Sequence, residues 1–76
     1  MSIADRVRGI VLLHTDGDYA GDGAYLMSDL GLDSLDLKMI SLDLEVEFGL
    51  NYVTNEEVRE AETVGGLIEL VRGRRI

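Results

Sequence analysis

The sequence contains no cysteine and no proline, and each absence narrows the class of protein. Without cysteine the chain can form neither a disulfide bond nor a thiolate metal site, so any thiol chemistry needs a group that is added later. Without proline it lacks the strongest helix breaker, which suits an all-helical fold. The longest apolar run, from Ile10 to Leu13, is too short to cross a bilayer. We therefore expect no membrane association.

Basic residues are scarce away from the two ends of the chain. From residue 9 to residue 71, only Lys38 and Arg59 oppose fourteen acidic residues, which gives this stretch a net charge of −12. Nucleic-acid binding is not expected, because a phosphate backbone requires a basic surface. Basic protein partners would complement the charge, although an acidic surface also serves solubility alone. The N-terminus lacks a signal-peptide pattern, so we expect a cytoplasmic protein.

The 76 residues suffice for one domain, in which helical periodicity predicts four helices. They are expected at about residues 3–14, 34–48, 55–60 and 64–72. The expected N-terminal caps are Ser2, Asp33 or Ser34, Thr54 with Glu57, and Thr63, while Gly49 and Gly73 are expected to end the second and fourth helices. The sequence thus predicts an all-α four-helix bundle over residues 1–76, with a short third helix.

A long connection rich in glycine and aspartate, residues 15–33, joins the first two helices. Five apolar residues in the second half of this connection are expected to pack on the core: Tyr25, Leu26, Met27, Leu30 and Leu32. The run that begins at Asp16 resembles a calcium loop, but Ala20 and Met27 occupy two positions where an EF-hand needs ligands. An EF-hand is therefore not predicted, and a weak incidental calcium site stays an alternative.

The second predicted helix carries two apolar faces. One is the expected core seam, formed by Leu37, Ile40, Leu44 and Phe48. The other, which we call the apolar stripe, is formed by Leu35, Met39, Leu42 and Val46. The stripe either packs under the long connection and the third helix or forms a docking surface for partners. Methionine suits a surface that adapts to several partners.

Ser34 begins this helix, where unpaired backbone N–H groups and the helix dipole favour an anion such as a phosphate on its hydroxyl. A hydrolase nucleophile would need a positioned base, and His14 is the only histidine. We expect His14 to be a dipole partner or a packed ring, and the protein not to be an enzyme. Gly65 and Gly66, in the first turn of the fourth helix, are expected to lower its helix propensity but to permit close packing.

Three stretches together resemble the acyl carrier protein family, over nearly the whole chain: Leu30-Gly31-Leu32-Asp33-Ser34-Leu35-Asp36, the helix end Glu45-Val46-Glu47-Phe48, and Glu62-Thr63-Val64 with the apolar helix that follows. The resemblance implies that a phosphopantetheinyl transferase, using coenzyme A and magnesium, attaches 4'-phosphopantetheine to Ser34. The thiol of that group would hold an acyl chain as a thioester. The protein would be a carrier, expected to be a monomer.

The resemblance also implies a partner surface on the second helix, which meets basic and apolar patches of loading and transferring enzymes. The matching positions are Asp33, Leu35, Asp36, Leu42, Glu45 and Glu47. Three departures, which we include in the expected surface, make it less acidic than in similar fatty-acid carriers: Lys38, Met39 and Val46. They favour a specialised lipid, polyketide or aminoacyl/peptide pathway. The alternatives are a housekeeping fatty-acid carrier, an unmodified acidic interaction module and a calcium-responsive helical protein.

Overall fold

The computed structural model describes residues 1–15 and 21–74, and in this part of the chain it contains four α-helices. In chain order they are α1 (Ile3–Leu12), α2 (Ser34–Phe48), α3 (Asn55–Ala61) and α4 (Val64–Arg74). The prediction of a small all-helical four-helix bundle is confirmed. None of these helices is long and apolar enough to cross a membrane.

Each helix begins at a side chain that accepts a backbone hydrogen bond, as the sequence indicated. Ser2 Oγ accepts from the N–H of Asp5 at 3.1 Å, and Thr63 Oγ1 accepts from the N–H of Gly66 at 3.0 Å. Thr54 forms the predicted reciprocal capping box with Glu57. Such caps satisfy N–H groups that have no partner within the helix.

The predicted limits of α2 are confirmed, but three helix ends differ from the prediction. α1 stops at Leu12 rather than at residue 14, because the N–H of His14 bonds the carbonyl of Val11 and tightens the last turn. α3 runs one residue further than expected. Gly73 does not end α4, whose next residue, Arg74, donates to the Tyr52 carbonyl and pairs with Glu57. These long-range contacts stabilise the last turn.

The core is formed by one side of each helix, by two residues of the connection between α1 and α2, and by Val53 between α2 and α3. On α2 the expected seam is buried at Leu37, Ile40 and Leu44, and Phe48 is half-buried against it. The other buried apolar residues are Val7, Ile10, Val11, Leu26, Leu32, Val53, Val58, Val64, Leu67, Ile68 and Val71. This core fixes α2 with one face turned inward.

The connection packs on the core through Leu26 and Leu32, and partly through Leu30. The prediction that Tyr25 and Met27 pack there is wrong, since their side chains are 49% and 47% exposed. Tyr25 forms a β-bridge with Thr63, and the next N–H, that of Leu26, donates to the Glu62 carbonyl at 2.8 Å. Residues 26–30 then form a turn, in which the N–H groups of Asp29 and Leu30 donate to the Tyr25 carbonyl. In this geometry Leu26 is buried, while Tyr25 and Met27 stay exposed.

The turn from α3 into α4 is packed tightly, as expected from its two glycines. A Cβ atom at Gly66 would overlap the carbonyl oxygen of Ala61, and one at Gly65 would lie 3.0 Å from the carbonyl oxygen of Asp22. The N–H of Gly65 donates to that Asp22 oxygen at 2.7 Å. The missing side chains therefore let α4 approach both α3 and the connection.

Candidate functional site

Ser34 is the first residue of α2, and its neighbour Asp33 is the N-terminal cap. Asp33 Oδ1 accepts from the N–H of Asp36 at 2.9 Å, and Asp36 Oδ2 accepts from the N–H of Asp33 at 3.0 Å. Of the two predicted capping candidates, Asp33 is therefore the correct one. The Ser34 hydroxyl takes no part in the cap and lies on an exposed residue.

Hydrogen bonding keeps the Asp33 carboxyl ionised. The backbone N–H of Asp36 lowers the pKa of Asp33 below its usual range, and partial desolvation opposes this only in part. The first turn of α2 thus holds one fixed negative charge beside the exposed hydroxyl of Ser34.

Arg59 of α3 reaches the Ser34 hydroxyl from across the bundle. Its Nη2 atom donates to Ser34 Oγ at 3.3 Å. No local sequence pattern predicts this contact, because 25 positions separate Arg59 from Ser34. The packing of α3 against α2 creates the contact.

Arg59 also lines a cleft of about 310 Å³ between the connection, α2 and α3. Its walls are mostly apolar, with polar groups at Arg59, Ser28 and Glu62. The remaining lining residues are Tyr25, Leu26, Met27 and Leu37. Arg59 therefore contacts Ser34 and also lines the apolar cleft.

The apolar stripe of α2 is exposed. Leu35 is 67%, Met39 43%, Leu42 46% and Val46 85% accessible to solvent. Among the described residues, neither the connection nor α3 buries the stripe, although about half of Met39 and of Leu42 is covered. That the stripe docks partners stays a prediction. An unburied apolar band along a helix of a small domain is a typical interaction surface.

The charged residues predicted to bind partners divide into two groups. Asp36 closes the helix cap, Glu45 Oε2 accepts from the N–H of Val53 at 2.8 Å, and Glu47 Oε2 accepts from Arg6 Nε at 2.8 Å. These three carboxylates therefore stabilise the fold through intramolecular hydrogen bonds. Lys38 is exposed.

His14 lies away from Ser34. Its Nε2 atom is 2.8 Å from Oδ2 of Asp43, which follows Ser34 along α2 by about 13 Å of helix rise. The ring is half-buried, and the contact joins the end of α1 to α2. His14 is thus a packed ring with a carboxylate partner, and it does not contact the serine.

Within residues 1–15 and 21–74, no group of three or more carboxylate or histidine side chains is placed to hold a metal ion. Most of the run considered as a calcium loop, residues 16–20, lies outside the described residues.

The candidate site therefore consists of the exposed hydroxyl of Ser34, the cap formed by Asp33, the guanidinium of Arg59, the adjoining cleft and the apolar stripe that begins at Leu35. No protein-family model matches the sequence.

Proposed function

We propose that the protein is a carrier that tethers acyl intermediates as thioesters on a 4'-phosphopantetheine arm attached to Ser34. The observation that carries the proposal is the position of the Ser34 hydroxyl, exposed at the first turn of α2 and left out of the cap by Asp33. A serine whose role was to cap the helix would instead accept a backbone hydrogen bond.

The residues around Ser34 fit a phosphate ester. The N-terminus of a fifteen-residue helix favours negative charge, and the Arg59 guanidinium supplies a cation at the hydroxyl itself. When attached, 4'-phosphopantetheine supplies the thiol that this cysteine-free chain lacks. Ser34 would hold the group, and the apolar cleft beside Arg59 offers a surface for what it carries.

The exposed stripe supports partner recognition by α2. We assign the partner surface to the stripe together with Asp33, Asp36, Lys38, Glu45 and Glu47. Enzymes with apolar and basic docking patches would match it, among them the phosphopantetheinyl transferase that modifies Ser34. The apolar character of the stripe supports a specialised lipid, polyketide or aminoacyl/peptide pathway, in the cytoplasm, with no catalytic step performed by the carrier itself.

The proposal is tested by incubating the protein with a promiscuous phosphopantetheinyl transferase, coenzyme A and magnesium, and measuring intact mass. We expect a mass increase of one phosphopantetheine group, which Ser34→Ala abolishes. Ser28→Ala is the matched control, because Ser28 is an exposed serine at the neighbouring cleft and should leave the increase intact. An unmodified wild type, or an increase that persists in Ser34→Ala, would contradict the proposal.

The exposure of the stripe also favours a second candidate, an acidic interaction module that is never modified. In that case Ser34→Ala would retain full function in the cell, and partner binding would depend on the apolar stripe. Complementation by Ser34→Ala therefore separates the two functions.

A further inference from the structure

Arg59 differs from the other arginines whose surroundings the structure describes. Those four form ion pairs with carboxylates: Arg6 with Glu47, Arg8 with Asp5 and Asp22, Arg72 with Glu69, and Arg74 with Glu57. Arg59 instead donates to the neutral hydroxyl of Ser34. The protein is strongly acidic, yet the contact with a neutral hydroxyl leaves the positive charge of Arg59 without a carboxylate partner among the described residues. This charge can therefore pair with an anion formed on the Ser34 hydroxyl.

The fold holds Arg59 at this position. α3 is closed at its start by the Thr54–Glu57 capping box, and the residue before Arg59, Val58, is fully buried in the core. The backbone of Arg59 is thereby fixed, and its side chain extends across to the first turn of α2. The packing of α3 thus sets the backbone position from which the exposed side chain of Arg59 reaches Ser34.

Lys38 is the competing cation, since it lies one turn after Ser34 and helical side chains lean toward the N-terminus. In the structure, however, the nitrogen within hydrogen-bonding distance of Ser34 Oγ belongs to Arg59. A guanidinium also presents several N–H donors in one plane, which suits phosphate oxygens better than an ammonium does. The geometry therefore favours Arg59.

Resting on the modification of Ser34 proposed above, we propose that Arg59 is a positioning residue that pairs with the phosphodiester on Ser34 and holds it on the α3 side of the helix. Arg59 lines the cleft, so this pairing starts the attached group toward the cleft and away from the apolar stripe. The stripe then stays open to partners. Because the pair is exposed to solvent, salt should weaken it.

Phosphorus NMR of the modified protein tests this role, at low and at high salt. In the modified wild type we expect a ³¹P resonance that moves with salt. Arg59→Gln should shift this resonance at low salt and remove its salt dependence, and Arg59→Lys should restore much of both. Two control variants each remove one positive charge, Lys38→Gln near Ser34 and Arg72→Gln on α4. Both should change the ³¹P resonance less than Arg59→Gln does. Circular dichroism checks that each variant keeps its helices.

A second measurement uses the wild type alone. The Arg59 Nε–Hε resonance should shift between the unmodified and modified forms, and the Arg72 resonance should not. If modification proceeds but neither the ³¹P nor the Arg59 resonance responds, the role of Arg59 is overturned while the carrier function stands. A ³¹P shift that follows Lys38→Gln would transfer the role to Lys38 and overturn the assignment. If the wild type is not modified at all, the carrier function itself fails, and this inference fails with it.

Discussion

At the scale of single residues, the cap of α2 and the exposed hydroxyl at its first turn belong to two different residues, Asp33 and Ser34. A capping serine gives its oxygen to a backbone N–H, which would hold the hydroxyl against the helix. Here Asp33 performs the capping, with Asp36 as its reciprocal partner. The Ser34 hydroxyl consequently remains outward, in contact with a cation from another helix. Asp33 thus caps the helix and leaves the neighbouring hydroxyl of Ser34 for the proposed attachment.

The glycines give a residue-scale prediction, because two helical glycines meet opposite surroundings. Gly66→Ala should lower the free energy of unfolding by about 1–3 kcal/mol, since the new Cβ would overlap the Ala61 carbonyl oxygen. Gly9→Ala should raise it by about 0.5–1 kcal/mol, since a Cβ there has nothing within 4 Å and alanine favours a helix. Urea unfolding followed by circular dichroism measures both changes. Equal effects of the two substitutions would contradict the packing of α3 on α4.

At the scale of helices, α2 was the element most fully predicted from sequence. Its start at Asp33 and Ser34 and its end at Gly49 are local signals, and Gly49 has the left-handed φ of 64° that glycine adopts without strain. The burial of the core seam was predicted and is observed at Leu37, Ile40 and Leu44. Whether the apolar stripe is covered or exposed was a choice that α2 alone could not decide, because helical spacing marks both faces as apolar. The choice depends on where α1, α3 and α4 pack.

The features that the sequence did not yield depend on long-range contacts in the same way. α4 continues past Gly73 because Arg74 contacts Tyr52 and Glu57, which lie before and within α3. Arg59 meets Ser34 because α3 packs on α2. A glycine near a helix end and an arginine on a short helix have no local signature that distinguishes these outcomes.

The two faces of α2 predict different effects for leucine substitutions at two positions only two residues apart, about half a helical turn. Leu44→Ala should lower the free energy of unfolding by about 2–5 kcal/mol, because Leu44 is completely buried. Leu42→Arg should change it by only about 0.5 kcal/mol or less, as is usual for a surface position, while impairing turnover by partner enzymes. Unfolding curves and the rate of phosphopantetheine transfer measure the two effects. Loss of the fold in Leu42→Arg would show that the stripe is core.

At the scale of the whole molecule, arginines near the two ends of the chain form ion pairs with carboxylates of the acidic stretch between them. Arg6 donates to Glu47 and lies 4.5 Å from the centre of the Phe48 ring, which joins α1 to the end of α2. Arg8 pairs with Asp22 of the connection, and Arg74 with Glu57. With a net charge of −8, the protein retains an excess of acidic side chains after these pairs are made.

These contacts predict how stability depends on pH. The Arg8 guanidinium lowers the pKa of Asp22, and the N–H of Asp36 lowers that of Asp33. The unfolded chain, with ordinary aspartate pKa values of about 3.9, therefore takes up protons before the folded protein does as the pH falls. The stabilisation from both carboxylates is complete above that value and is lost as the pH falls through the lowered pKa values.

As the pH falls, protonation of the other acidic residues also relieves repulsion between them. The contribution of Asp33 is therefore best measured as the difference in free energy of unfolding between the wild type and a variant. Asp33→Asn keeps a capping oxygen but removes the titrating group. The wild type should be more stable than Asp33→Asn at neutral pH, and this advantage should narrow as the pH drops below about 3.9. Urea unfolding at steps from pH 7 to pH 3 measures this difference in stability. Glu60→Gln, at an exposed position of α3, is the control for the loss of one negative charge. An advantage that stays constant over this range would show that Asp33 is not held ionised by the cap.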